Sequence, residues 1–153
     1  MKVIIGCDHA GFTYKISLKE ILLQRGFDVI DVGAMKEINE DDYPDYAAKV
    51  ATCVLENEAS RGILICGSSV GVSIAANKFK GIRAAVCHDT YSAHQSVEHD
   101  AANILCIGAR VIGIELAKDI LFSFLNAQFS NEERHIRRLQ KINAIEEKNG
   151  LRN

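Results

Sequence analysis

The sequence predicts an α/β fold: a single-domain, three-layer α/β/α sandwich with a five-stranded, Rossmann-like parallel sheet. Three observations lead there. Short runs rich in Val, Ile, Leu and Cys alternate five times with amphipathic stretches, the pattern of parallel strands joined by crossover helices. Those runs lack the in-out alternation of a half-exposed strand, as strands covered on both faces should. The length of 153 residues, 48% hydrophobic and 25% charged, suits one domain with a real core.

Each element follows in turn. Lys2–Cys7 is the first strand candidate, and Phe12–Arg25 is a helix that Gly26 can stop. Phe27–Val32 is the second strand, and Pro44 suits the first turn of a helix running to Glu58. Gly62–Cys66 precedes a helix at Val70–Phe79, and Ile82–Cys87 precedes one at Thr90–Glu98. Asn103–Ile107 completes the sheet before a helix at Gly113–Ala127. A last helix, about 131–148, is the most charged segment and is free to pack on a partner subunit.

Composition narrows the function classes. A net charge of -2 leaves no electrostatic footprint for nucleic acid. No apolar run approaches membrane-spanning length, and Met1 leads into a strand rather than a signal peptide, so a cytoplasmic protein without membrane association is expected. Five cysteines, Cys7, Cys53, Cys66, Cys87 and Cys106, include no C-x-x-C and read as reduced thiols. No set of His, Cys and carboxylates has zinc-like spacing, so no metal is expected.

Open parallel sheets present ligands at the C-terminal ends of their strands. There the sequence places Asp8-His9-Ala10-Gly11, Gly67-Ser68-Ser69-Val70-Gly71 and His88-Asp89. Amides that open a helix lack intrahelical partners and suit a phosphate or a developing oxyanion. Gly67 and Gly71 would let a ligand approach the backbone. The same spacing also serves a tight strand-to-helix connection, and it matches neither the dinucleotide fingerprint nor the P-loop. Cys66 shares this setting, which predicts a lowered thiol pKa, although free cysteines are commonly buried and inert. Asp8 stands beside His9, where a carboxylate can orient an imidazole. His88 and His94 read as surface or packing residues. Arg134 and Arg138 are four apart and share a helix face. They can clamp a phosphate, but with Glu132 and Glu133 alongside, spacing alone favours a solvated face.

Taken together, Gly6–Gly11, Tyr43-Pro44, the run Cys66–Lys78 (CGSSVGVSIAANK), Gly81–Ala84, His99 with Asn103, Gly108–Val111 and Arg134-His135-x-x-Arg138 resemble type B ribose-5-phosphate isomerases. The resemblance runs from residue 2 to about 148. It implies a cofactor-free aldose–ketose isomerase that interconverts D-ribose 5-phosphate and D-ribulose 5-phosphate through an enediolate. It gives Cys66 the role of base, Gly67, Ser68, Ser69, Val70 and Gly71 the anion hole, and Ser68 the hydroxyl proton. His99 would open the sugar ring and Asp8 would hold sugar hydroxyls. His9, Arg110, Arg134 and Arg138 would hold the phosphate, and Tyr43 would line the pocket. The family forms homodimers or dimers of dimers with shared active sites. It also contains allose- and galactose-6-phosphate isomerases, which are the alternative activities. A non-catalytic sugar-phosphate binding module is the alternative of another class.

Two positions depart from the family pattern. Ser69 stands where glycine is usual, which strains the backbone if φ is positive there. Asp100 stands where asparagine is usual, so an ionised side chain can only accept hydrogen bonds from a sugar. Position 72, where some members carry a glutamate base, is Val72.

Overall fold

All five strand candidates form one parallel sheet in a computed structural model that describes residues 1–36, 41–57 and 60–150. The strands are β1 (Lys2–Cys7), β2 (Asp28–Asp31), β3 (Arg61–Cys66), β4 (Ala84–Val86) and β5 (Ile104–Gly108). Their order is β2-β1-β3-β5-β4. The helices are α1 (Phe12–Gln24), α2 (Tyr43–Glu56), α3 (Val70–Ala76), α4 (Thr90–Asp100), α5 (Ile114–Asn126) and α6 (Glu133–Gly150). A single 3₁₀ turn, His9–Gly11, leads from β1 into α1. Because every pairing is parallel, all C-terminal strand ends share one rim. The chain places β2 on one side of β1 and β3 on the other, so a crevice opens between the ends of β1 and β3.

The absence of alternation in the central strands is explained by two cores. Ile5, Ile63, Ile65 and Ile107 face α1 and α5, against Leu18, Leu22, Ile120 and Phe124. Ile4, Leu64 and Cys106 face the opposite layer, against Val50, Val54, Val72 and Ala76. The edges behave differently. β2 is half-exposed, and β4 has only three residues, none of them fully buried. The expected strand at Ile82–Cys87 loses its first two residues to a side-chain tether. Asn103 accepts the Arg83 N–H through Oδ1 and donates to the Gly81 carbonyl through Nδ2, both at 2.8 Å.

Helix ends shift for local reasons. α3 stops at Ala76 rather than Phe79 because the Lys78 and Phe79 N–H groups turn back to Ala75 and Ala76. Gly81, at φ +86, then redirects the chain into β4. Glu58, the expected end of α2, lies outside the described residues. α6 begins after Asn131, at φ 56, and runs to Gly150. Its Glu146 accepts the Gly81 N–H at 3.0 Å. No helix among the described residues is long and apolar enough to cross a membrane.

One buried charge cluster braces the β1–β2 edge. Lys15 is 1% exposed, and its Nζ donates to Asp31 at 2.9 Å and to the Ala34 carbonyl. Lys19 adds a bond to Asp31 at 2.9 Å. Burial pushes the Asp31 carboxyl up, but the hydrogen bonds from Lys15 and Lys19 outweigh it and hold the group below its ordinary value. Lys15→Ala strips this buried carboxylate of its main partner and costs about 3–5 kcal/mol, measurable by denaturant unfolding. Because the folded pKa is depressed, the stabilisation is complete above about pH 4 and is lost as pH falls further.

Candidate active site

Loops after β1, β3 and β5, with the start of α2, enclose a cavity of about 300 Å³ at the β1/β3 crevice. Asp8, His9, Tyr43, Cys66, Gly67, Ser68, Gly71 and Arg110 line it. The two central turns can meet because position 11 is glycine: a Cβ there would collide with the Ile65 carbonyl. Asp8 caps its own turn by accepting the Gly11 N–H at 3.2 Å, and its backbone N–H reaches Ile65. It is 6% exposed, and burial raises its carboxyl above the ordinary value.

His9 is oriented by a residue that the sequence did not single out. Its Nδ1 lies 2.6 Å from Asp41 Oδ1, and its backbone N–H reaches the same oxygen at 3.1 Å. Asp41, not the adjacent Asp8, therefore fixes the imidazole. Burial pushes the Asp41 carboxyl up, but the His9 hydrogen bonds overcome this and hold it below its ordinary value. An ionised Asp41 keeps the proton on Nδ1 and leaves Nε2 as the ring's other polar atom.

Cys66 ends β3 and is 5% exposed. The Ser69 N–H donates to its Sγ at 3.0 Å. The expected lowering of the thiol pKa is overturned. Burial pushes the thiol up, and the amide bonds, led by that of Ser69, recover only part of the shift. α3 has only seven residues, so its dipole is a weak counterweight.

Ser69 resolves the question raised by its departure from glycine. It sits at φ 69, ψ −11, the left-handed conformation, which costs a serine on the order of 1 kcal/mol. That conformation turns the chain from the loop into α3, while the Ser69 N–H stays on the Cys66 sulfur. Its side chain is wholly buried, and its hydroxyl donates to the Ser68 carbonyl. Ser68 is exposed and lines the cavity, whereas Val70 is exposed but lies off it. The missing side chain of Gly71 makes room for Tyr43, whose ring would lie 2.7 Å from a Cβ there. The Arg110 guanidinium covers Gly67, and its backbone N–H donates to the Gly67 carbonyl at 3.0 Å.

The remaining expected residues are elsewhere. α4 starts on the site's rim and runs about 16 Å toward the opposite end of the sheet. His99 and Asp100 are its last two residues. His99 stacks on His135 with ring centroids 4.1 Å apart. Arg134 is bonded to Glu132 at 2.8 Å, and Arg134 and Arg138 are exposed on α6. Asp100 lines a different cavity, of about 470 Å³, beneath the end of α6. Within one chain the expected residues thus divide into a Cys66 group and a His99 group. The described residues include no group of three or more His, Cys, Asp or Glu that could hold a metal ion.

Residues 3–142 match the Ribose/Galactose Isomerase family model. The chain belongs to the ribose/galactose isomerase family. Within that family it is 48% identical to ribose-5-phosphate isomerase B of Escherichia coli over 147 residues, covering 96% of this chain and 97% of that one. It is 41% identical over 148 residues to D-erythrulose-4-phosphate isomerase 2 of Mycolicibacterium smegmatis, covering 95% and 97% of the two chains. Ribose-5-phosphate isomerase B from Mycoplasma genitalium, solved with bound ribulose-5-phosphate, superposes with a TM-score of 0.91 at 40% identity, covering 95% and 96%. The match to the ribose/galactose isomerase family covers the sheet from Val3 onward and every residue that lines the cavity.

Proposed function

We propose that the chain interconverts D-ribose 5-phosphate and D-ribulose 5-phosphate, with Cys66 as the base that moves a proton between C2 and C1. The observation that carries this reading is the sulfur itself. It lines a sugar-sized cavity with a backbone N–H 3.0 Å away. Sulfur is soft, compact and fixed, and as thiolate it takes the C2 proton of the open-chain aldose. The electron pair moves into the C1–C2 bond and negative charge builds on O1, giving the enediolate. In this reading that charge meets amides of the Gly67–Gly71 loop other than Ser69, whose N–H is on the sulfur, and each well-aimed donor is worth several kcal/mol in a dry site. The thiol returns the proton to C1, while Ser68 helps transfer the hydroxyl proton between O1 and O2, giving the ketose. Asp8 accepts from sugar hydroxyls. His9 and Arg110 bind the phosphate, and this remote binding orients the reacting carbons.

The ring must open first, and its acid–base residue in this reading is His99. His99 is at the far end of α4 from Cys66, so the active unit is a homodimer or a dimer of dimers. The partner subunit's His99, the partner subunit's Asp100, the partner subunit's Arg134 and the partner subunit's Arg138 complete each site. The exposed α6 arginines support this reading, because neither lines the Cys66 cavity of its own chain. The reaction needs no cofactor, and it suits a cytoplasmic enzyme.

The test is kcat/KM on ribose 5-phosphate beside four-carbon and six-carbon sugar phosphates, including erythrulose 4-phosphate, allose 6-phosphate and galactose 6-phosphate. Ribose 5-phosphate should lead by at least about tenfold. A higher value on another sugar length moves the substrate to that length. Thermal stabilisation by ribose 5-phosphate without turnover would make the chain a binding module.

A further inference from the structure

The conformation of Ser69 needs a support that the loop does not supply by itself. Serine is held left-handed at φ 69, where the loop whose Ser69 N–H bonds the Cys66 sulfur turns into α3. The support is His88, which enters from the segment after β4. Its Nε2 accepts the Gly108 N–H at 3.1 Å and lies 3.4 Å from the Ser69 hydroxyl oxygen. Gly108 is the register partner of Cys66 across the β3–β5 ladder. A Cβ on Gly108 would stand 2.9 Å from His88 Nε2 and 3.0 Å from the Ser68 carbonyl carbon. Imidazole, strand end and loop are therefore packed closely together, with Gly108 between His88 and Ser68.

We propose that His88 is a positioning residue for Cys66: anchored by the Gly108 N–H, its ring packs against Ser69, holds the serine in its left-handed turn and so keeps the loop that carries the Ser69 N–H against the sulfur. This rests on the reading of Cys66 as the base. Glycine adopts positive φ freely and needs no such support. The His88 support is thus a requirement specific to a chain with serine at this position.

That logic gives a double-mutant cycle. His88→Ala lowers kcat about tenfold with KM changed by less than about twofold, because the reacting sulfur loses its Ser69 N–H partner while the phosphate contacts remain. In a Ser69→Gly background the same His88 change costs less than about twofold. His88→Gln, which offers an oxygen to the Gly108 N–H, recovers most of the loss. A readout independent of turnover is the pH midpoint of Cys66 alkylation by iodoacetamide, followed by peptide mapping without substrate. It moves up in His88→Ala and stays in place when Ser69 is glycine. If His88→Ala does not fold, His88→Phe fills the space without the acceptor and enters the same cycle.

An equal loss in both backgrounds, or no loss when Ser69 is present, overturns the proposal. Absence of ribose 5-phosphate turnover by the unaltered protein would defeat the isomerase reading alone. The alkylation cycle would still decide the role of His88.

Discussion

Cys66→Ala lowers kcat on ribose 5-phosphate by about 10³-fold while the fold persists, since positioned proton transfer is worth 10²–10⁴. The fold persists because the lost atom is small and, though packed in the core on one side, borders an existing cavity on the other. Removing it therefore costs only about 1 kcal/mol. Cys66→Ser fails almost as badly, because a hydroxyl holds its proton far more tightly than a thiol. The pH profile carries the same information. Burial pushes the Cys66 thiol above its ordinary value, so the thiolate is a minority species at neutral pH. Turnover should climb as pH rises toward the thiol's titration, and that limb should vanish in Cys66→Ala. Near-native turnover by Cys66→Ala would remove the sulfur from the mechanism. It would point to Asp8, the other buried acid of the cavity, whose carboxyl burial also raises.

Mixing two inactive variants restores activity. Cys66→Ala and His99→Ala should each be nearly dead alone on ribose 5-phosphate. Unfolded together and refolded as a mixture, they form mixed dimers in half of the assemblies. One of the two sites in each mixed dimer receives an intact Cys66 from one subunit and an intact His99 from the other. Recovery should approach about a quarter of the unaltered activity, the statistical limit for two-fold assembly. Cis sites would give no recovery at all. Arg138→Ala in place of His99→Ala should behave alike, with its defect expressed mainly in KM because it removes binding rather than chemistry. The expectation follows from α4, which carries its two ends to opposite ends of the sheet.

Much of this was legible in the chain. Strand and helix alternation located every layer, because burial on both faces leaves a compositional mark that does not depend on neighbours. Loops at the ends of β1 and β3 were legible for the same reason, since polar residues and glycines interrupt apolar runs there. What escaped depends on distance in sequence. Asp41 lies 32 positions from His9, just before α2 in a segment with no periodicity, and only the fold brings it to the end of β1. His88 looked like packing because its partners, Ser69 and Gly108, lie 19 and 20 positions away. The direction of the Cys66 shift was misread because helix amides are visible in a sequence, whereas the depth of burial that opposes them is not. The separation of His99 from Cys66 follows from the course of α4, and residue spacing along the chain does not reveal it.

Gly11 has a consequence for how this site can change over generations. Its bare α-carbon lies against the end of the neighbouring strand, so even one methyl would wedge the two central turns apart. A side chain at the rim of the pocket can change its size or charge by small steps. This vacancy has no substitute, and lineages that keep the pocket should keep it empty there, however far the rest of their sequences drift.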